Sequence, residues 1–208
     1  LDTKIPFKII ILDEADEMLS MGFKEDLEAI LAKTPDKKQT LLFSATMSKR
    51  IISITTKYMG DSVKISASRM NLGAENVKHV YYMVHASDRY EVLKRIADSN
   101  PNIYGISFCR TRRETKDVAN KLMHDGYSAD TIHGDLSQAQ RDEVMGKFRK
   151  GRLQILVATD VAARGLDVTN LTHIINYNLP DDPEVYIHRS GRTGRAGKSG
   201  ISIAIIHT

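Results

Sequence analysis

At 208 residues, with 27% charged and 41% hydrophobic side chains, the chain can form one large or two modest packed domains, and its composition excludes a disordered or fibrous protein. The formal net charge of +4 decides nothing alone, but no apolar stretch approaches the roughly 20 residues of a membrane helix, which argues against a membrane partner. The single cysteine, Cys109, cannot form an internal disulfide and suits a reducing, cytoplasmic setting; its plainest role is a small buried hydrophobe on a strand.

In chain order, short apolar runs predict strands near 8–12, 40–43, 63–65, 77–84, 103–108, 128–132, 154–158, 172–177 and 201–206. Amphipathic spacing predicts helices at 25–33, 48–58, 89–98, 113–124, 138–149 and 183–192, with Pro183 and Gly126 at a helix start and a helix stop. Alternation of this kind implies an α/β fold with a mostly parallel sheet and helices on both faces. Between Ser66 and Asn76 the period lapses into Ser, Asn, Gly and a few charges, which reads as a linker at 67–76. The expected organisation is therefore the end of one domain at 1–66 and a second, complete domain at 77–208. The first part holds three strands and starts at Leu1, so a fragment of a longer protein is expected, with a sheet edge and apolar helix faces uncovered.

Polar clusters fall just after predicted strands. Asp13-Glu14-Ala15-Asp16 follows the first and Ser44-Ala45-Thr46 the second. Later come Arg110-Thr111-Arg112, His133-Gly134-Asp135, and the run from Thr159 and Asp160 through Arg164, Gly165 and Asp167. Five clusters placed this way suggest that one rim of each sheet is a ligand face. Basic residues crowd at Arg110, Arg112, Arg113 and Lys116, and again at Arg189, Arg192, Arg195 and Lys198. From charge alone, discrete anionic ligands and solvated helix faces explain these two clusters equally well. Acids able to hold a metal ion, with arginines able to reach a phosphate, suggest nucleotide hydrolysis.

Taken in order, Asp13-Glu14-Ala15-Asp16, Ser44-Ala45-Thr46, the segment from Phe108 to Arg112, Gln138 with Arg141, the segment from Ala158 to Asp167, and His188 through Arg195 resemble the motifs of the DEAD-box family of ATP-dependent RNA helicases, in superfamily two. The likeness covers essentially the whole chain. It implies two RecA-like domains with ATP and RNA bound across the cleft between them. It further implies that Asp13 contacts magnesium through water, that Glu14 positions the attacking water, that Arg192 and Arg195 act as arginine fingers, and that Asp167 meets the ribose. Asp16, Ser44, Thr46, His188 and Arg189 would couple the two domains. Arg110, Thr111, Gln138, Arg141, Thr159, Arg164 and Gly165 would face the RNA backbone, with His133-Gly134-Asp135 assisting. For any one of these RNA-facing residues a structural role such as helix capping is nearly as good a reading.

Gly197-Lys198-Ser199 ends like a phosphate-binding loop, but residue 192, where its first glycine belongs, is arginine, and the segment follows a helix. The chain thus carries no P-loop, and alone it should not hydrolyse ATP. The seven histidines show no zinc spacing. Two other functions compete: a catalytically idle RNA-binding or partner-docking module, and a DNA-directed motor of the same superfamily.

Overall fold

The structure, a computed structural model, describes residues 7–66, 76–195 and 197–207. Most of the expected linker, 67–75, lies outside them. The chain divides into two compact units, Leu1–Arg69 and Met70–Thr208.

In the first unit, β1 (Ile9–Leu12) runs parallel to β2 (Gln39–Leu42), with Ile9 opposite Gln39 and Leu12 opposite Leu42. Three helices accompany them: α1 (Ala15–Ser20), α2 (Lys24–Ala32) and α3 (Lys49–Met59). Leu27 and Leu31 lie four residues apart on α2, and Ile51 and Ile54 three apart on α3, so each pair shares one helix face. With Leu12 and Leu19 they form one buried cluster. The alternate side chains Ile9 and Ile11 point away from it and stay exposed, as do Ile30 and Phe43. Exposed apolar side chains in this unit thus lie on one face of β1 and, through Ile30, on α2.

The strand expected at 63–65 does not form; that stretch is irregular, with Val63 87% and Ile65 88% exposed. Val63 and Ile65 line a groove of about 520 Å³ beside β2, yet they make no ladder with it. β-Branched residues favour a strand only where a neighbour accepts their backbone hydrogen bonds and covers their side chains.

The second unit is a six-stranded sheet in the order β3-β8-β7-β4-β6-β5, with every pairing parallel. Its strands are β3 (Val77–Val84), β4 (Gly105–Phe108), β5 (Ala129–Ile132), β6 (Ile155–Ala158), β7 (His173–Asn176) and β8 (Gly200–His207). Between them lie α4 (Arg89–Ser99), α5 (Arg112–His124), α6 (Gln138–Arg149), α7 (Asp160–Ala163) and α8 (Pro183–Ser190). β4, β6 and β7 are buried at every position, as a parallel sheet covered on both faces requires. Ile155 and Val157 join Leu93, Ile96, Val118 and Leu122 of α4 and α5 in one cluster. Leu156 and Ala158 join Val144, Met145 and Phe148 of α6 in the other. Each fully buried side chain of this size contributes about 1.5–3 kcal/mol.

Helix starts follow their sequence signals. Thr111 caps α5, Ser137 and Gln140 form a reciprocal capping box on α6, and Pro183 occupies the first turn of α8. Gly126, at φ 89°, supplies the left-handed turn after α5. Helix 138–149 matches residue for residue, and the others shift by one or two positions. α1 and α7, of six and four residues, are too short to show a period and were not expected.

Candidate functional site

The Asp-Glu-Ala-Asp run sits where β1 gives way to α1. Asp13 is exposed, and its Oδ1 accepts the Glu14 N–H at 2.9 Å. Glu14 is exposed and left-handed, at φ 49° and ψ 45°. A β-carbon in that region costs about 1–2 kcal/mol, a strain characteristic of functional turns. The turn is held from both sides, because the Ala15 N–H donates to the Phe43 carbonyl at 3.1 Å. Asp16 is buried. Its Oδ2 accepts the Thr46 N–H at 2.9 Å and the Thr46 hydroxyl at 3.0 Å, while Ser44 Oγ donates to the Thr46 carbonyl at 2.7 Å. Asp16, Ser44 and Thr46 are thus one network inside the first unit.

In the second unit the parallel strands end on one rim, where Arg110, Thr111, His133, Asp135, Thr159 and Asp160 gather. Much of this rim is committed to itself. Arg189 is only 4% exposed; its Nε and Nη2 clasp the two oxygens of Asp160 at 2.6 and 2.7 Å. Its Nη1 donates to Asn176 Oδ1 at 2.9 Å and to the Asn178 carbonyl at 2.8 Å, and the guanidinium lies 4.7 Å over the Phe108 ring. Glu114 Oε1 binds Arg89 at 2.9 Å and Asn178 Nδ2 at 3.3 Å. The Arg110 N–H reaches Asn178 Oδ1 at 2.9 Å, and its guanidinium pairs with exposed Asp181 at 3.2 Å. Asp135 takes Arg112 on one oxygen and Lys116 on the other, the latter at 3.2 Å. Lys116, followed by Arg112, holds the Asp135 carboxyl below the ordinary range. Burial, aided by Lys116, pushes the neighbouring His133 imidazole down.

Thr111 and Thr159 accept backbone N–H groups as caps of α5 and α7, so both carry the capping role weighed above. Arg141 Nη2 donates to the Ala162 carbonyl at 2.7 Å, and Gln138 donates to Asp142 at 2.8 Å on its own helix. Arg164 follows α7, half-buried, and Gly165 reverses the chain at φ 63°.

The run from Thr159 to Asp167 does not stay on this rim, contrary to the sequence expectation. Asp167 lines a groove of about 370 Å³ with Tyr104, Arg149, Gly151 and Asn170, residues that precede β4, β6 and β7. A four-residue strand spans only about 13 Å, so one helical turn and a reversal at Gly165 carry the chain to the opposite rim. The arginines after α8 are there too. Thr193 Oγ1 donates to the Leu171 carbonyl, and Lys198 Nζ reaches Asn170 Oδ1 at 2.5 Å. Arg192 is half-buried, and among the described residues its side chain has no hydrogen-bond or ionic partner. Arg195 is exposed and donates from Nε to the Gly191 carbonyl at 2.7 Å. Between them Gly194 has φ 68°, and a β-carbon there would lie 2.5 Å from Val77. His188 sits half-buried on α8. Gly197 and Lys198 belong to the connection into β8, with no strand-to-helix turn.

Sequence reasoning missed the scaffold beneath these residues: Asp160 as partner of Arg189, then Asn176, Asn178, Glu114 and Arg89. A usable signal was present. Asn176 ends a fully buried strand after Ile174 and Ile175, and a buried amide demands partners.

Comparison with known proteins follows this division of the chain. Residues 4–54 match the DEAD/DEAH box helicase family, and residues 88–197 match the helicase conserved C-terminal domain. The DEAD-box ATP-dependent RNA helicase CshA of Geobacillus kaustophilus is 47% identical over 197 residues, 95% of this chain and 42% of that protein. The chain thus spans about two fifths of such curated relatives. Among solved structures, a DEAD box protein from Methanococcus jannaschii is 48% identical, over 96% of this chain and 54% of that one, with a TM-score of 0.62. Dbp5 of S. cerevisiae bound to RNA and ADP BeF3 is 31% identical over 97% of this chain and 54% of its own, with a TM-score of 0.87. The fold is RecA-like.

Proposed function

Because the chain belongs to the DEAD-box helicase family, we propose that it supplies the acidic motif and the second RecA-like domain of an ATP-dependent enzyme that locally separates or remodels RNA duplexes. In this reading residues 1–66 end the first domain, 67–76 link, and 77–208 form the second. The observation that carries the ATPase reading is the unequal treatment of three neighbouring arginines. Arg189 is saturated inside its own unit, whereas among the described residues the Arg192 side chain has no partner and Arg195 gives one N–H to a carbonyl. Planar guanidinium groups left open in this way suit the charge spread over a γ-phosphate.

Glu14, exposed at its left-handed turn, would position the attacking water. Magnesium fits Asp13: an exposed lone carboxylate suits a cation that keeps most of its waters, and among the described residues no larger acidic or histidine cluster exists. Magnesium, when bound, would neutralise charge on the phosphates. Asp167 would meet the ribose. Arg110, Thr111, Gln138, Arg141, Thr159, Arg164 and Gly165 would line the RNA path, largely through caps and main chain, which favours backbone over base recognition. Asp16, Ser44, Thr46, His188 and Arg189 would couple the two domains, Arg189 by way of its Asp160 and Asn178 partners. Among the described residues no helix is long and apolar enough to cross a membrane; a cytoplasmic location belongs to the proposed role as an RNA enzyme.

Glu14→Gln tests this in a full-length protein that adds a P-loop. ATP binding should persist while RNA-stimulated turnover stops; normal turnover removes Glu14 from the mechanism. The chain alone should show no hydrolysis above background, and robust activity would refute the P-loop argument. Comparing RNA with matched DNA as activator separates the RNA reading from a DNA motor, because the 2′-hydroxyl distinguishes the two.

A further inference from the structure

We propose that Arg149, at the end of α6, is a positioning residue that holds Asp167 where the sugar of the bound nucleotide meets it. The proposal rests on the reading of Asp167 as the ribose contact. Arg149 Nε donates to the Asp167 carbonyl at 3.1 Å. Eight residues earlier, about 12 Å along the helix, Arg141 Nη2 donates to the Ala162 carbonyl at 2.7 Å. One helix therefore grips the crossing segment near both of its ends. Between the two arginines, Val144, Met145 and Phe148 share a buried cluster with Ala162, Ala163, Leu166 and Val168.

The far end of this helix is itself anchored. The Tyr104 hydroxyl donates to the Phe148 carbonyl at 3.1 Å, and the two rings lie 4.5 Å apart. A chain of contacts thus runs from Tyr104 at the start of β4, through Phe148 and Arg149, to the Asp167 main chain. The segment needs that brace. Its only regular structure is the single turn of α7, and Gly165, at φ 63°, offers little resistance to rotation. Asp167 is exposed between buried Leu166 and Val168, so its carboxylate direction follows from how its peptide is held. A carboxylate that accepts a sugar hydroxyl is sensitive to such placement, because hydrogen bonds weaken steeply once misaligned.

The test uses the full-length protein with RNA and magnesium, and compares ATP with 2′-deoxy-ATP and 3′-deoxy-ATP. Arg149→Met keeps the apolar stem and removes the donor. It should raise KM for ATP about three- to tenfold, leave kcat within about twofold, and shrink the preference for ATP over the deoxy analogue that reports the contact. Arg149→Lys should restore part of the preference, and Tyr104→Phe should give a smaller loss of the same kind. Arg152→Ala, a nearby exposed arginine without a side-chain partner among the described residues, should change nothing. A merely structural role would raise KM for all three nucleotides alike, and that result overturns the proposal. If Asp167→Ala abolishes the preference while Arg149→Met retains it, Arg149 does not position Asp167 and the ribose reading survives. If Asp167→Ala keeps the preference, the ribose reading and this proposal fall together.

Discussion

The two rims of the six-stranded sheet treat their charged residues in opposite ways. At the carboxyl ends of the strands the charges are largely spent internally: Arg189 on Asp160, Glu114 on Arg89 and Asn178, Asp135 on Arg112 and Lys116. At the amino ends, Arg192 makes no such bond among the described residues and Arg195 makes one, to the Gly191 carbonyl. A self-satisfied rim offers main chain and a few hydroxyls, which in the proposed function would suit a sugar–phosphate track. In the proposed function an open rim would keep guanidinium groups ready for a charge that arrives with the ligand. The difference lies in the availability of the charges, since both rims are basic.

The largest expected effect breaks the open rim. Arg195→Ala or Arg192→Ala in the full-length protein should cut turnover by on the order of 10³ or more, leaving the melting temperature nearly unchanged. Steady-state ATPase and thermal melting measure both halves of that statement. Loss of stability matching the loss of rate would mean that these arginines are structural after all.

Asp160→Ala attacks the other rim and should do the reverse. It leaves the buried Arg189 guanidinium with only Asn176 and Asn178, at a cost of about 3 kcal/mol or somewhat more. Denaturant unfolding of this chain suffices to measure it. A change below about 1 kcal/mol would show that the pair is solvent-screened and that this rim is less rigid than its hydrogen bonds imply. Gly194→Ala is intermediate, at about 1–2 kcal/mol for the left-handed backbone alone, with the Val77 clash added. Because it moves Arg195, it should lower turnover more than Arg152→Ala does.

The asymmetry between rims also marks what the sequence could reveal. Strand and helix order was legible because buried parallel strands and amphipathic helices carry periods, and Ser137 with Gln140 or Pro183 announce helix starts. The 63–65 strand failed because Val63 and Ile65 have β propensity and no partner. Asp13, Glu14, Arg192 and Arg195 were legible as ordered motifs. That Asp167 crosses to the arginine rim was not, since the crossing depends on a single turn and on Gly165, too short to have a period. The Arg189 clasp was not legible either, because it joins residues 29 positions apart.

The smallest effect is electrostatic and samples both rims at once. His133 lies beyond β5 at the carboxyl rim, and His173 opens β7 at the amino rim. Both are buried, and burial lowers both imidazoles; Lys116 and Arg112 press His133 further down while Asp135 opposes them. Above the unperturbed value of about 6.5 each is neutral whether folded or not, so the stability tied to neutral burial is complete. As pH falls below that value the unfolded chain takes up protons that the folded chain refuses. Stability then declines by up to about 1.4 kcal/mol per pH unit per histidine until the lowered folded value is passed. The consequences differ in place. His133 Nδ1 accepts the Asp135 N–H at 3.2 Å, so protonation there breaks a bond that shapes the loop bearing Asp135. Among the described residues His173 Nδ1 meets the Thr172 hydroxyl at 2.8 Å, which can turn to accept instead. Denaturant midpoints at pH 7.5 and 5.5 should therefore draw closer in both His133→Gln and His173→Gln, and only the first should remove the acid-induced shift of the Asp135 amide in NMR spectra. An equal shift in both variants would mean that the Asp135 loop does not depend on the His133 bond.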